Sequence, residues 1–294
     1  MPELPDITVY IERLEAMAGG KTLERLRVSS PWVLRTFDPP TSAVEGRRLE
    51  GLRRIGKRIV FDLGDELFVV VHLMVAGRLR WRDRGAAVPK KRGLAAFDFS
   101  SGTVVFTEEG TKKRASIHIV QGEEALTEHD RGGVEPLTAD TAAWAQALTK
   151  ERHTLKRSLT DSRLVSGIGG AYADEIMHRA RVSPIIRSDR LTPQQIEALR
   201  VAAVGVLTEW TERLRAEVGD GFPEKVTAFH PEMAVHGKFG EKCPVCDAPV
   251  QRIVYSSNET NYCPGCQTGG RILADRSLSR LLKEDFPRSL EDLE

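Results

Sequence analysis

Cysteine is scarce in this chain: 294 residues hold four, at positions 243, 246, 263 and 266. If those four serve a metal, no disulfide framework is left, and reduced thiols of this kind fit a reducing cytosol. Long apolar runs are missing as well. The longest are stretches such as Leu67 to Val71, far below the roughly 20 residues that cross a bilayer, so no membrane partner is expected. The opening MPELPDITVY has neither a basic n-region nor an apolar h-region, so a secretory signal is not expected and the expected location is cytoplasmic. Net charge is nearly absent too, at +1, which excludes a uniformly basic surface but not a local one.

What is present begins with the distribution of that charge. Between Arg47 and Arg114 stand sixteen Lys/Arg against eight Asp/Glu, an excess of +8 in that stretch alone. The clusters Arg53-Arg54, Lys57-Arg58, Lys90-Lys91-Arg92 and Lys112-Lys113-Arg114 fit either a surface that attracts phosphate chains or a set of solvated strand faces.

Periodicity divides the chain into textures. Pro5 sits where a first-turn proline belongs, and Ile7, Tyr10, Leu14 and Met17 recur at helical spacing. Short β-rich runs follow at 22–29, 49–55, 58–63, 67–72, 78–82, 94–99, 103–107 and 116–120, which predicts a sandwich or a barrel. From about residue 126 the pattern turns helical. Trp144 and Leu148 mark one helix, Leu155 to Leu159 a second, and the turn Gly167-Ile168-Gly169-Gly170 leads into a third, Ala171 to Arg181. A long helix is predicted from Thr192 as N-cap, with Pro193 first and Gln195 closing a capping box. Helix, tight glycine turn, helix is the outline of a DNA-binding unit. Tyr172 occupies the third glycine position and no strand precedes, so a dinucleotide loop is excluded.

Two features carry chemistry. The cysteines form two Cys-x-x-Cys pairs separated by sixteen residues, the spacing of one tetrahedral zinc at the base of a hairpin spanning 235–272. With four thiolates the coordination sphere is closed, so the zinc is expected to be structural. At the other end, Pro2 follows a methionine that processing removes before so small a residue, which would expose a secondary amine. An α-amino group titrates near about 7.7–8, so a useful fraction is nucleophilic at neutral pH and can attack a sugar or carbonyl carbon to form a Schiff base. Glu3 is an adjacent acid or base. The alternative is an extended lead-in to the first helix.

Pro2-Glu3-Leu4-Pro5, the segment Leu159-Thr160-Asp161 with Gly167-Ile168-Gly169 and Tyr172-Ala173-Asp174-Glu175, and Val235-His236-Gly237-Lys238 ahead of the cysteines together resemble the formamidopyrimidine-DNA glycosylase/endonuclease VIII family. The resemblance runs through the whole chain in order. It implies an α+β protein: an N-terminal catalytic β-sandwich with a leading helix (1–125), a helix–two-turn–helix domain (126–234), and a four-cysteine zinc-finger hairpin with a tail (235–294). It implies a bifunctional glycosylase/AP lyase acting, as a monomer, on oxidised bases in double-stranded DNA. Pro2 would attack C1′, Glu3 would shuttle protons and Lys57 would stand near the sugar-phosphate. His72 and Lys156 would contact phosphates, and Cys243, Cys246, Cys263 and Cys266 would hold the zinc. A second reading keeps fold and zinc but binds damage without cutting.

Three positions depart from the family pattern. Gly170 stands where an asparagine usually grips a phosphate, and Asn258 stands where the zinc hairpin usually offers an arginine, with Arg271 as a candidate replacement. The residues that fill the space of an extruded base also differ. Val75 replaces a methionine, with Met74 one place earlier, and Thr111 to Ala115 contains no aromatic.

Overall fold

The structure, a computed structural model, describes residues 1–225, 228, 230–255 and 258–293; the hairpin turn at 256 and 257, inside the expected 235–272 segment, lies outside them. The chain divides into two compact units, 1–131 with 210–227 and 132–209 with 228–294.

The first unit opens with α1 (Leu4–Ala18), which buries Ile7, Tyr10 and Leu14, the stripe expected from their spacing. Behind it come nine strands: β1 (Thr22–Val28), β2 (Arg47–Arg48), β3 (Gly51–Ile55), β4 (Arg58–Asp62), β5 (Leu67–His72), β6 (Gly77–Arg82), β7 (Gly93–Phe99), β8 (Gly102–Glu108) and β9 (Ser116–Gln121). They pair antiparallel into a five-stranded sheet, β2-β1-β7-β8-β6, and a four-stranded sheet, β3-β4-β5-β9. The architecture is therefore a sandwich and not a barrel. Alternation along the strands sends Leu79, Phe97, Phe99 and Phe106 from one sheet, and Ile59, Phe61, Val69, Val71 and Ile117 from the other, into one core shared with α1. Phe61 lies flat on Phe97, ring centroids 5.3 Å apart and planes within 4°.

The Leu67 to Val71 run has an equally simple cause. Its alternate residues Phe68 and Val70 face the other way, into a smaller cluster with Val60, Val120 and Leu126 beneath α2 (Glu123–Thr127). Beyond β9 the backbone of 34–36 adds a short edge contact, with Arg35 N–H donating to the Ile117 carbonyl and Ile119 N–H donating to Thr36 Oγ1.

The second unit contains α3 (Thr141–Thr149), capped by Asp140, then α4 (Leu155–Thr160), α5 (Gly170–Arg179) and the start of α6 (Pro193–Val218), whose residues from 210 belong to the first unit. The predicted capping box of α6 forms as expected: Gln195 N–H donates to Thr192 Oγ1 and Thr192 N–H to Gln195 Oε1. Between α4 and α5, Asp161 accepts from Arg163 N–H and from its guanidinium, which pushes its carboxyl down to about 2. The hairpin β10 (Gln251–Tyr255) and β11 (Asn258–Tyr262) follows, then α7 (Pro264–Thr268) and α8 (Arg276–Leu282). Among the described residues no helix is long and apolar enough to cross a membrane.

Candidate active site and zinc centre

The start of the chain folds into the first turn of α1. Glu3 is its N-cap: its carboxylate accepts from the N–H of Asp6, while Asp6 accepts from the N–H of Glu3 at 2.9 Å. Negative groups at this end satisfy otherwise unpaired N–H groups and meet the positive end of the helix dipole. Pro2, Glu3 and Asp6 are all buried. The terminal amine, here on Met1, is held below its ordinary value chiefly by burial. The carboxylates of Glu3 and Asp6 oppose that shift, and the nearby cations Arg78 and Lys57 reinforce it. Lys57, in the β3–β4 turn, is depressed first by burial, against the pull of Glu3 and with a push from Arg58. Glu3 and Lys57 thus share one corner with the terminus, and sequence reading missed the other two members, Asp6 and Arg78. Arg78 also donates to the carbonyls of Gly77 (2.7 Å) and Val75 (3.3 Å), which stiffens the β5–β6 turn. At the tip of that turn Met74 takes a left-handed φ of 54° and Val75 is 62% exposed.

His72 ends β5 opposite Arg58 on β4 and Ser116 on β9. Its imidazole is pushed down to about 4, mainly by burial and then by Arg58, Lys57 and His118. His118, two residues along β9, is likewise held at about 4 by burial, His129, Arg58 and Arg35, and its ring meets His129 edge-on at 4.7 Å. These histidines are neutral near pH 7, N–H donors without charge. Only the strand register reveals that His118 shares a face with His72. Glu108, also missed, is buried and accepts from the N–H groups of Arg114 and Ala115, which closes the 109–115 loop, whose stretch Thr111 to Ala115 contains no aromatic.

In the second unit the four sulfurs come together. Cys246 lies 3.3 Å from Cys263 and 3.5 Å from Cys266, and Cys243 lies 3.8 Å from Cys266. A tetrahedral ion with Zn–S bonds of about 2.3 Å needs sulfurs about 3.8 Å apart, so the donor set fits zinc. Burial raises the thiol of Cys266 to about 11 and that of Cys263 further still, which is the crowding a dication relieves by taking thiolates. One structural zinc belongs here.

The zinc module is fastened to α5 by polar side chains. Glu175, buried, accepts three N–H groups, from Ala234, Val235 and His236, each at 2.9 Å. Asp174, fully buried, meets Lys156 Nζ and His236 Nδ1 at 2.8 Å each, and accepts from Asn261 N–H. Lys156, expected on a phosphate, thus has its ammonium against Asp174 and the Glu259 carbonyl. Gly170 begins α5, and a Cβ built there would meet nothing within 4 Å. Asn258 is exposed at the start of β11. Arg271 is exposed beyond α7, its backbone bridged to Ser289 of the tail.

Three family models match the chain: the formamidopyrimidine-DNA glycosylase N-terminal domain over residues 1–114, the formamidopyrimidine-DNA glycosylase H2TH domain over 133–218, and a zinc finger found in FPG and IleRS over 240–269. Among similar proteins, a formamidopyrimidine-DNA glycosylase of Desulfitobacterium hafniense is 30% identical over 279 residues, covering 91% of this chain and all of that one. One of Listeria innocua is 28% identical over 278 residues, with the same coverage. Among solved structures, a Lactococcus lactis FPG variant in complex with a Fapy-dG containing DNA superposes with a TM-score of 0.80 at 24% identity, over 91% of this chain and 100% of that one. MutM in complex with carbocyclic 8-oxo-G containing DNA gives 0.80 at 25% over the same shares. With the sandwich, the glycine-turn helices and the zinc module matched in order, the chain belongs to the formamidopyrimidine-DNA glycosylase family.

Proposed function

We propose that this protein is a bifunctional DNA glycosylase and AP lyase of base-excision repair, acting on oxidised bases of the formamidopyrimidine/8-oxoguanine type in duplex DNA. Removal of Met1 transfers the terminal amine to Pro2. Its nitrogen bonds to C1′ of the damaged nucleoside as the glycosidic bond breaks and the base leaves with a proton. Glu3 supplies the proton that opens the sugar ring. The resulting iminium acidifies the C2′ hydrogen, and loss of that proton expels the 3′ phosphate; a second elimination releases the 5′ phosphate. Lys57 supplies the cation that offsets negative charge developing on the sugar-phosphate. His72, the backbone N–H groups that open α5 at Gly170, Asn258 and Arg271 are assigned to DNA contact, whereas Lys156 is occupied by Asp174 and the Glu259 carbonyl.

The observation that carries this reading is the shared corner of the terminal amine, Glu3 and Lys57, in which burial holds both amines below their ordinary pKa. Borohydride trapping on an oligonucleotide with an abasic site tests it. Wild-type protein should form a covalent adduct that protein retaining Met1, in which the Pro2 nitrogen is an amide, loses by at least about 100-fold, a scale set by loss of a nucleophile. Protein that shifts the same DNA in a gel yet never traps would leave only a damage binder.

A further inference from the structure

Five donor groups converge on a centre that a four-coordinate ion can fill with four. The fifth is His178, on the last turn of α5, one helical turn beyond Asp174. Its Nε2 lies 3.3 Å from Cys243 Sγ, and both residues are buried. The Nε2 and the sulfurs of Cys243, Cys263 and Cys266 all fall within 4.8 Å of one another, a grouping that does not include Cys246. Cys246 closes the sulfur set from elsewhere, through Cys263 and Cys266, and it is the exposed corner, whereas Cys243 and Cys263 are buried.

Two physical demands meet at this histidine. A dication with four thiolates carries a net charge of −2, and sulfurs buried on that centre need donors. Backbone N–H groups supply long contacts, Val245 to Cys243 at 3.5 Å and Cys266 to Cys263 at 3.4 Å. The His178 contact is shorter and comes from a side chain anchored on a helix. The tautomer it requires carries the proton on Nε2. The same nitrogen also faces three of the four sulfurs, away from the ligand most open to solvent.

We propose that His178 is a reserve member of the zinc centre: it donates Nε2–H to the Cys243 thiolate while Cys246 is bound, and serves as nitrogen ligand when Cys246 is withdrawn. In that exchange the bond to the Cys246 sulfur breaks and one to Nε2 forms. The Nε2 proton passes through solvent to Nδ1, so the imidazole stays neutral, and the departing thiolate takes a proton from solvent; the centre's charge goes from −2 to −1 and one proton is consumed. A three-thiolate, one-imidazole site is an ordinary resting set for zinc, so the hairpin would keep its staple.

Cobalt(II), substituted for zinc in the full chain, reports ligand identity through its charge-transfer and d–d bands; none of the readouts involves DNA, so the outcome is independent of the glycosylase reading. Wild-type and His178→Ala should both show four-thiolate spectra. His178→Ala should surrender zinc to a chelating dye about 10-fold faster, as loss of a hydrogen bond to a bound thiolate implies. Cys246→Ala should keep one metal per chain with a three-thiolate, one-nitrogen spectrum, and the Cys246→Ala/His178→Ala pair should lose it. Equal metal loss in Cys246→Ala and in the pair would overturn the proposal. So would an unchanged release rate in His178→Ala, which remains readable even if the cysteine variants do not fold. A wild-type spectrum that already shows the imidazole would overturn it too, making His178 a resident ligand.

Discussion

Where the first unit closes two sheets and α1 over a core with Phe61 stacked on Phe97, the zinc module packs little more than Val235, Val250 and two cysteine side chains. The module compensates with directed bonds: a metal, the three N–H groups on Glu175, and the Asp174 contacts with Lys156, His236 and Asn261. Burial is indifferent to direction and tolerates drift at the surface. Carboxylate bonds fix position but depend on every partner staying in place. A segment too small to bury much apolar area is held at the right angle by the second method.

The contrast can be broken first in the two places that matter most to folding. Phe97→Ala should destabilise the first unit by about 3–5 kcal/mol, the range for a truncated core phenylalanine, with zinc stoichiometry unchanged. Glu175→Ala should cost about 3 kcal/mol, since three buried N–H groups lose a charged acceptor together. That loss should appear as faster zinc release and lost hydrogen-exchange protection at 234–236. If urea unfolding with probes in each unit gave the same pattern for both variants, the distinction would be void.

Acid sharpens the comparison next. His72 and His118 are held at about 4 in the folded chain against an unfolded value near about 6.5. Between those limits the unfolded state binds more protons, so stability falls as pH drops from about 6.5 toward 4. Above that window the two histidines contribute fully. Asp161 in the second unit acts lower, its stabilisation being lost as pH falls from about 4 toward 2. An acid titration followed by NMR should therefore loosen β5 and β9 before the α4–α5 turn, and His72→Gln with His118→Gln should flatten the first phase.

The smallest effect belongs to Gly170. Its Cβ position is open, so Gly170→Asn should fold normally and add a side-chain amide donor at the start of α5. Affinity for abasic duplex should tighten by roughly two- to fivefold, the worth of one net hydrogen bond. No change in a fluorescence titration would mean that the helix N–H groups already saturate that phosphate.

Local rules made most of the elements legible. Strands expected at 58–63, 67–72, 78–82 and 116–120 appear within a residue or so, because alternation and turn glycines act over a few positions. The capping box of α6 and the cysteine spacing were readable for the same reason. What the sequence did not disclose is long-range. Glu175 and His178 lie about 60 or more residues from the groups they hold, as Asp174 does from His236 and Asn261, and nothing in a helical pattern distinguishes a buried acid awaiting a distant loop from an exposed one. His118 and His129 meet only once β9 is paired and α2 has turned the chain back. The N-terminal corner stood between these extremes: Pro2 and Glu3 were visible, whereas Asp6 and Arg78 emerge only from the folded first turn and the β5–β6 turn.

Because Glu3 fastens the opening turn of α1, the fold alone accounts for an acid at that place. Its survival is poor testimony to enzymatic life. The proline before it lies outside the helix and is not accounted for by that turn, so it is the better witness.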